Sequence, residues 1–299
     1  MEVLLATYNG EKYLAEQLDS LLAQTEVSIS LVVSDDGSQD RTLEILSSYR
    51  DSFTEFKVLQ GPKNGAQANF FYLISQSKSD FVALCDQDDI WETDHLKNSL
   101  TRIKSGKPGV TFSAVMEFSS IKAKTPKVWP RKIRIGRIEN ILFENPVRGC
   151  TIVMNRPFIN ILMDKIPTNS IMHDWWIALV GMSYECLTST ENPEVQYRIH
   201  ENNAVGPTPS IKTRFKRLGK ILQSGSHLTV DQIRDLYSIH SDRMNDRMRR
   251  SLSTWVPPLR SSSVRKNVLA RCRYRANFVE EVALRSTLIW VWVKERRNE

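Results

Sequence analysis

Asp86, Asp88 and Asp89 place three carboxylates within four residues, directly after the apolar run Phe81-Val82-Ala83-Leu84-Cys85. Like charges held so close repel unless a cation neutralises them. Carboxylate oxygens suit Mg²⁺ or Mn²⁺, which take one or two protein carboxylates and fill their other positions with water and substrate phosphates. The loop is therefore expected to hold a metal–diphosphate complex, with a solvated acidic turn as the simpler alternative for the triplet alone. A calcium loop is disfavoured, because Ile90 and Trp91 stand where an EF-hand would continue with glycine and further oxygen ligands. A second acidic turn, Asp35-Asp36-Gly37-Ser38, follows Leu31-Val32-Val33, and Thr7-Tyr8-Asn9-Gly10 follows Val3-Leu4-Leu5-Ala6. Gly37 permits a sharp exit from the strand, and Ser38 or Asp40 can cap what comes next.

These turns matter only if something brings them together. Short apolar runs alternating with helix-like segments predict strand–helix units and a mostly parallel sheet. Strands are expected at Val3–Ala6, Ile29–Ser34, Phe56–Gln60 and Phe81–Cys85, and helices at Glu11–Gln24, Asp40–Ser52, Gly65–Ser77 and Thr93–Ser105, the first with Asn9 as its N-cap. In open parallel sheets ligands bind beyond the carboxyl ends of the strands, so the three polar turns should converge on one edge. Beyond Gly109 the pattern weakens. A strand at Val110–Phe118, a polar and basic stretch Lys122–Arg137, an apolar segment Thr151–Met154 and a helix from His173 are expected, and Gly206-Pro207-Thr208-Pro209 is read as a linker.

The chain has 299 residues, 41% hydrophobic and 25% charged, enough for one large or two ordinary domains. Its four cysteines form no C-x-x-C pair or Cys/His cluster, which disfavours a zinc module or disulfide scaffold and points to reduced thiols in a cytosolic protein. No secretory leader is expected at the N-terminus, and Leu288–Val293 is too short to span a bilayer. The net charge of +7 divides into −5 over residues 1–206 and +12 over residues 207–299. Within the basic part, Ile211, Phe215, Leu218, Ile221 and Leu222 form a stripe flanked by Lys and Arg, predicting an amphipathic basic helix. Such a region marks a surface for a polyanion, for anionic lipid with Trp290 and Trp292 at the interface, or for packing on the preceding body of the chain.

Taken in order, Thr7-Tyr8-Asn9-Gly10, Val33 to Thr42, Asn64-Gly65 with Asn69, and Asp86-Gln87-Asp88-Asp89 resemble an inverting nucleotide-sugar glycosyltransferase of family 2 with a GT-A fold, over roughly residues 2–206. Arg148-Gly149-Cys150-Thr151, His173-Asp174-Trp175-Trp176 and Tyr197 to Asn203 further resemble the bacterial rhamnosyltransferase-like branch that builds surface polysaccharides. The resemblance implies a GT-A catalytic domain over 1–206, with a nucleotide-binding half to about 108 and an acceptor-binding half after it, followed by a basic, mainly helical region over 207–299.

By the same resemblance Thr7, Tyr8, Asn9, Asp35, Asp36, Asn64 and Asp86 would hold the nucleotide of a dTDP- or UDP-sugar. Asp88, with Asp86 and His200, would hold Mg²⁺ or Mn²⁺. Asp174 would deprotonate the acceptor, and Arg148, Gly149, Cys150, His173 and Trp175 would contact sugar or acceptor. Trp91, directly after the metal loop, is read either as a platform stacking on the acceptor or donor sugar or as a core residue. His173 replaces the first carboxylate of the family's commoner Glu-Asp pair, so no helper carboxylate is expected there. The implied acceptor is a saccharide, polyprenyl-linked, met by a peripheral protein on the inner face of the cytoplasmic membrane. A reading from another class is a polyanion-binding protein whose Arg271, Arg273, Tyr274 and Arg275 contact nucleic acid. It is disfavoured because it leaves the carboxylate turns idle.

Overall fold

The computed structural model describes residues 1–119, 125–201 and 226–253, with isolated positions from 255 to 289. The N-terminal half alternates β1 (Glu2–Thr7), α1 (Leu14–Leu22), β2 (Ser30–Asp35), α2 (Thr42–Ser48), β3 (Glu55–Gln60), α3 (Gly65–Gln76) and β4 (Phe81–Cys85). β5 (Ile90–Trp91) and α4 (His95–Arg102) follow. The second half contributes β6 (Val110–Ser119), β7 (Lys127–Trp129), α5 (Ile138–Phe143), β8 (Val153–Asn155), α6 (Arg156–Met163), α7 (His173–Ser183) and β9 (Leu187–Ile199). Helices Ser226–His240 and Asp246–Leu252 come last among the described elements.

The described strands form one mixed sheet in the order β3-β2-β1-β4-β8-β6-β9-β5, with β7 paired to β6. β1 runs parallel to β2 and β4, and β2 parallel to β3, whereas β8 is antiparallel to β4 and β6. Two of these registers position the site. Thr7 pairs with Asp35 and Leu5 with Cys85, so Asp86 leaves β4 beside the end of β1. Alternation along the strands splits the core between the two sheet faces. Val3, Leu5, Leu31, Val33 and Cys85 pack with α1 and Leu96 of α4. Leu4, Val32, Val82, Leu84 and Phe112 pack with α3, α5, α6 and α7. Each fully buried Leu or Val of this kind contributes about 1.5–3 kcal/mol.

The four predicted N-terminal strands and helices are present, with shifted ends. α1 begins at Leu14 after Tyr13, whose side chain makes no capping bond, so Asn9 is not the N-cap. Asn9 instead adopts φ 48, and its Oδ1 accepts the Gln39 N–H at 2.8 Å, stapling the first turn to the second. Asp40 Oδ1 accepts the Thr42 N–H at 3.0 Å at the start of α2. The predicted Asp40–Ser52 helix is split, α2 ending at Ser48 and a 3₁₀ turn spanning Arg50–Ser52. The segment Thr151–Met154 is likewise divided between a 3₁₀ turn, Gly149–Thr151, and β8. The predicted linker, the 211–222 stripe, Trp290, Trp292 and the Arg271-to-Tyr274 cluster lie outside the described residues.

The C-terminal elements share the core of the body. Val230, Ile233 and Leu236 of one helix and Met248 and Leu252 of the next are buried in the same cluster as Trp176 and Phe143, as are Trp255, Leu284 and Leu288. Among the described residues no helix is long and apolar enough to cross a membrane.

Candidate active site

The carboxyl ends of β1, β2 and β4 open onto a cleft of about 620 Å³ lined by Thr7, Tyr8, Asp36, Gly37, Asn69, Asp86, Gln87, Asp88 and others. Asp35 is almost entirely consumed in shaping its rim. It accepts the Thr7 hydroxyl at 2.9 Å, the Gly37 and Ser38 amides at 3.1 and 2.8 Å and the Ser38 hydroxyl at 2.5 Å. Gly37, at φ 101, makes this turn possible. Asp36 accepts the backbone N–H groups of Lys63 at 2.6 Å and Gly65 at 3.0 Å, tying β2 to the start of α3. Asn64 is exposed and does not line the cleft, although Lys63 and Gly65 on either side of it do. Tyr8 is 58% exposed, and its backbone is clasped by Gln87, whose Oε1 accepts the Tyr8 N–H at 2.8 Å while its Nε2 donates to the Tyr8 carbonyl at 3.0 Å.

The acidic loop separates its three carboxylates by environment. Asp89 is fully buried, and its Oδ1 accepts the Arg198 N–H of β9 at 2.9 Å. Burial and the neighbouring Asp88 push its carboxyl up to about 7. Asp86 stands well above the usual carboxylate range, first from burial and then from Asp89, Asp88 and Asp174. Asp88 Oδ2 lies 2.7 Å from His200 Nε2. The Arg198 guanidinium braces the loop from behind, with Nε donating to the Asp88 carbonyl at 2.8 Å and Nη2 bonding Glu16 at 2.9 Å. Asp86, Asp89 and Cys150 bring ligand atoms within 4.8 Å of one another. Burial raises the Cys150 thiol well above its ordinary value, so it stays protonated, and the carboxylate oxygens that remain are the donors a hard divalent cation prefers.

The expected acceptor-side residues fall into two groups. Asp174 is the second residue of α7; it is 6% exposed and its charge reaches Asp86, although it does not itself line the cleft. His173 stacks on Phe70 with ring centroids 4.2 Å apart, and burial lowers its pKa, keeping the ring neutral. Its Nε2 points at Gly149, where a Cβ would lie only 2.6 Å away. Arg148 has its guanidinium 3.7 Å over Trp129 and 5.0 Å from Tyr197, and donates to Glu117 at 3.3 Å. Trp91, Trp175 and Cys150, in contrast, are interior residues. Trp91 is 3% exposed and meets His95 edge-on at 4.7 Å, while Trp175 donates Nε1–H to the Ile141 carbonyl at 2.6 Å. In this structure neither indole faces the cleft.

The sequence profile of Glycosyl transferase family 2 matches residues 2–162. The chain belongs to that family. It is 32% identical over 235 residues to "dTDP-rhamnosyl transferase RfbG" of Shigella flexneri, covering 73% of this chain and 78% of that protein. Among solved structures, S. aureus TarS in complex with UDP-GlcNAc superposes with TM-score 0.55 at 17% identity, covering 100% of this chain and 92% of that one. The mannosyltransferase PcManGT from Pyrobaculum calidifontis, in complex with GDP-Man and Mn2+, gives TM-score 0.51 at 13% identity, covering 97% and 87%. The α/β body with its curled mixed sheet is thus a GT-A glycosyltransferase fold.

Within this glycosyltransferase, several site residues escaped sequence reasoning. Gln87 sat between the aspartates with no role assigned, yet it joins two cleft loops. Tyr197 and Arg198 carry no individual signal within the stretch Tyr197 to Asn203, and the pairing of β9 with β5 and β6 is what brings them to the cleft and the acidic loop. Asn145, whose amide donates to Asp174, carried no local signal.

Proposed function

We propose that this protein transfers a sugar, rhamnose being the favoured one, from a dTDP- or UDP-sugar to a saccharide acceptor with inversion at the anomeric carbon. The observation that carries the reading is the convergence of Thr7, Tyr8, Asp36, Asp86 and Asp88 on one cleft at the carboxyl edge of a parallel sheet. The relation to a dTDP-rhamnosyl transferase supports the donor, and the acceptor is proposed as polyprenyl-linked, met at the inner face of the cytoplasmic membrane in surface-polysaccharide synthesis.

Asp36 and Asp35 hold the rim against which a nucleotide base docks, and the Tyr8 backbone, fixed by Gln87, forms the opposite lip. Asp86, Asp88 and His200 are the residues that would hold Mn²⁺ or Mg²⁺. When bound, such an ion neutralises the charge of a departing diphosphate. Asp174 accepts the acceptor hydroxyl's proton as that oxygen bonds the anomeric carbon, while the anomeric C–O bond to the diphosphate breaks and its electron pair leaves with the diphosphate. Tyr197 lines the cleft, and the Arg148 guanidinium lies against its ring.

Incubation with labelled dTDP- and UDP-sugars, Mn²⁺ or Mg²⁺ and lipid-linked acceptor is expected to yield a product of inverted anomeric configuration by NMR. Asp174→Asn should lower turnover by about 10²–10⁴-fold while nucleotide binding persists. Retained turnover in that variant would remove Asp174 from the reaction.

A further inference from the structure

Asp174 carries an asymmetry in its hydrogen bonding. The Trp175 N–H donates to Oδ1 at 2.7 Å, and Asn145 Nδ2 donates to the same Oδ1 at 3.0 Å. Among the described residues, Oδ2 accepts no hydrogen bond. A carboxylate pinned through one oxygen by two donors of different origin cannot swing about its χ2 axis without losing both, so its free oxygen keeps a fixed direction.

Asn145 is itself fixed. Its Oδ1 accepts the Val147 N–H at 3.1 Å, an Asx turn that settles which end of the amide faces Asp174. The loop bearing it leaves α5, and α5 is stitched to α7 by the bond from Trp175 Nε1 to the Ile141 carbonyl. An amide N–H cannot cap a helix N-terminus, whose exposed groups are themselves donors, so α7 gains no cap from Asn145 Nδ2. What that group does is hold one oxygen of Asp174.

We infer that Asn145 is a positioning residue that makes Oδ2 of Asp174 the proton-accepting oxygen. The inference rests on the assignment of Asp174 as base. In the step written above, the acceptor proton goes to Oδ2 while Oδ1 remains bonded to Asn145 and to the Trp175 amide. Holding a base in its productive orientation raises turnover without adding ground-state affinity for the donor.

Two substitutions separate this role from mere loop shaping. Asn145→Asp keeps the size of the side chain and the acceptor for Val147 N–H, but it replaces the donor toward Asp174 with a second carboxyl, so its effect is read together with that of an uncharged variant. Asn145→Ser keeps a hydroxyl able to close the turn, adds no charge, and is too short to reach Asp174. In the full chain, both are expected to lower kcat at least tenfold, with the donor KM and the affinity for nucleoside diphosphate within twofold of wild type. Should Asn145→Asp fail to fold, judged by circular dichroism, Asn145→Ser carries the test. A folded variant with kcat within twofold of wild type, or one that loses KM and kcat together, overturns the inference. Asp174→Asn assayed in parallel keeps the two ideas apart. If it is inactive while an Asn145 variant is fully active, only the positioning falls; if it turns over normally, the base assignment falls first.

Discussion

His240, the last residue of the helix Ser226–His240, is buried with 0% exposure behind α7. Its Nδ1 lies 3.2 Å from the Tyr184 hydroxyl, its ring meets Tyr184 edge-on at 5.7 Å and Trp176 at 6.1 Å, and its buried Nε2 has no hydrogen-bond partner among the described residues. Arg243, paired with Asp164 at 2.6 Å, is the nearby cation. Burial, followed by the Arg243 charge and opposed only weakly by Asp164, lowers the His240 pKa to about 4. An unfolded chain binds the proton near pH 6.5, so between these values the unfolded state holds more protons than the folded one. Stability from this residue is therefore full above pH 6.5 and lost as pH falls toward 4. At 1.36 kcal/mol per unit, the loss between pH 7 and pH 5 is about 2 kcal/mol. His95 and His173, whose pKa values burial also lowers, act in the same direction. His240→Phe isolates the effect, since a phenyl ring fills similar space and cannot titrate. Urea unfolding of wild type and His240→Phe at pH 7 and pH 5 should show wild type losing about 2 kcal/mol more than the variant across that interval. Parallel losses would mean that the folded protein accommodates a charged His240, and the reasoning from burial would fail.

Two further outcomes are expected. Gly149→Ala puts a methyl 2.6 Å from His173 Nε2 in a site closed by Phe70, so it should cost about 1–3 kcal/mol in urea unfolding, and His173→Ser in the same chain should recover most of that loss if the imidazole is the obstacle. Asp235 accepts the Thr168 and Asn169 amides at 3.0 and 2.8 Å, so Asp235→Ala should speed hydrogen exchange at those two amides at least tenfold and leave the amides of β1 unchanged.

What could be read from residues alone follows from how each element is buried. β1, β2 and β4 are covered on both faces, so they appear as unbroken apolar runs, and their polar exits mark the cleft directly. β9 was not foreseen because its first half, Leu187 to Pro193, is polar and only partly buried, and a proline interrupts it where its register against β6 shifts. Two-residue β5 and six-residue α5 are too short to show a period. The acidic triplet was visible as chemistry but not as three different carboxylates. What distinguishes buried Asp89 from Asp88 is an amide 109 residues away in β9, a contact with no local trace. Trp91 was equally ambiguous, since a tryptophan beside a cleft loop becomes a sugar platform or a core residue according to which face of a two-residue strand it occupies.

The same logic bears on how the candidate base is held. α7 is a helix of eleven residues, nearly all buried, whose first turn carries His173 and Asp174. On one side α5 and its following loop grip it through Trp175 and Asn145. On another, the helix Ser226–His240 fixes the loop leading into α7, with Gln232 Oε1 accepting the Ile171 N–H at 2.9 Å and Asp235 accepting the amides before it. From the donor side, Gln67 of α3 donates to the Ser170 carbonyl at 3.0 Å, two residues along from Gly65, whose amide is held by Asp36. The loop before Asp174 is thus gripped at once by the helix that rims the cleft and by a helix from the basic C-terminal region. The chain changes charge near residue 206, but its described core does not divide there, and truncation after that point would strip the support from one side of Asp174.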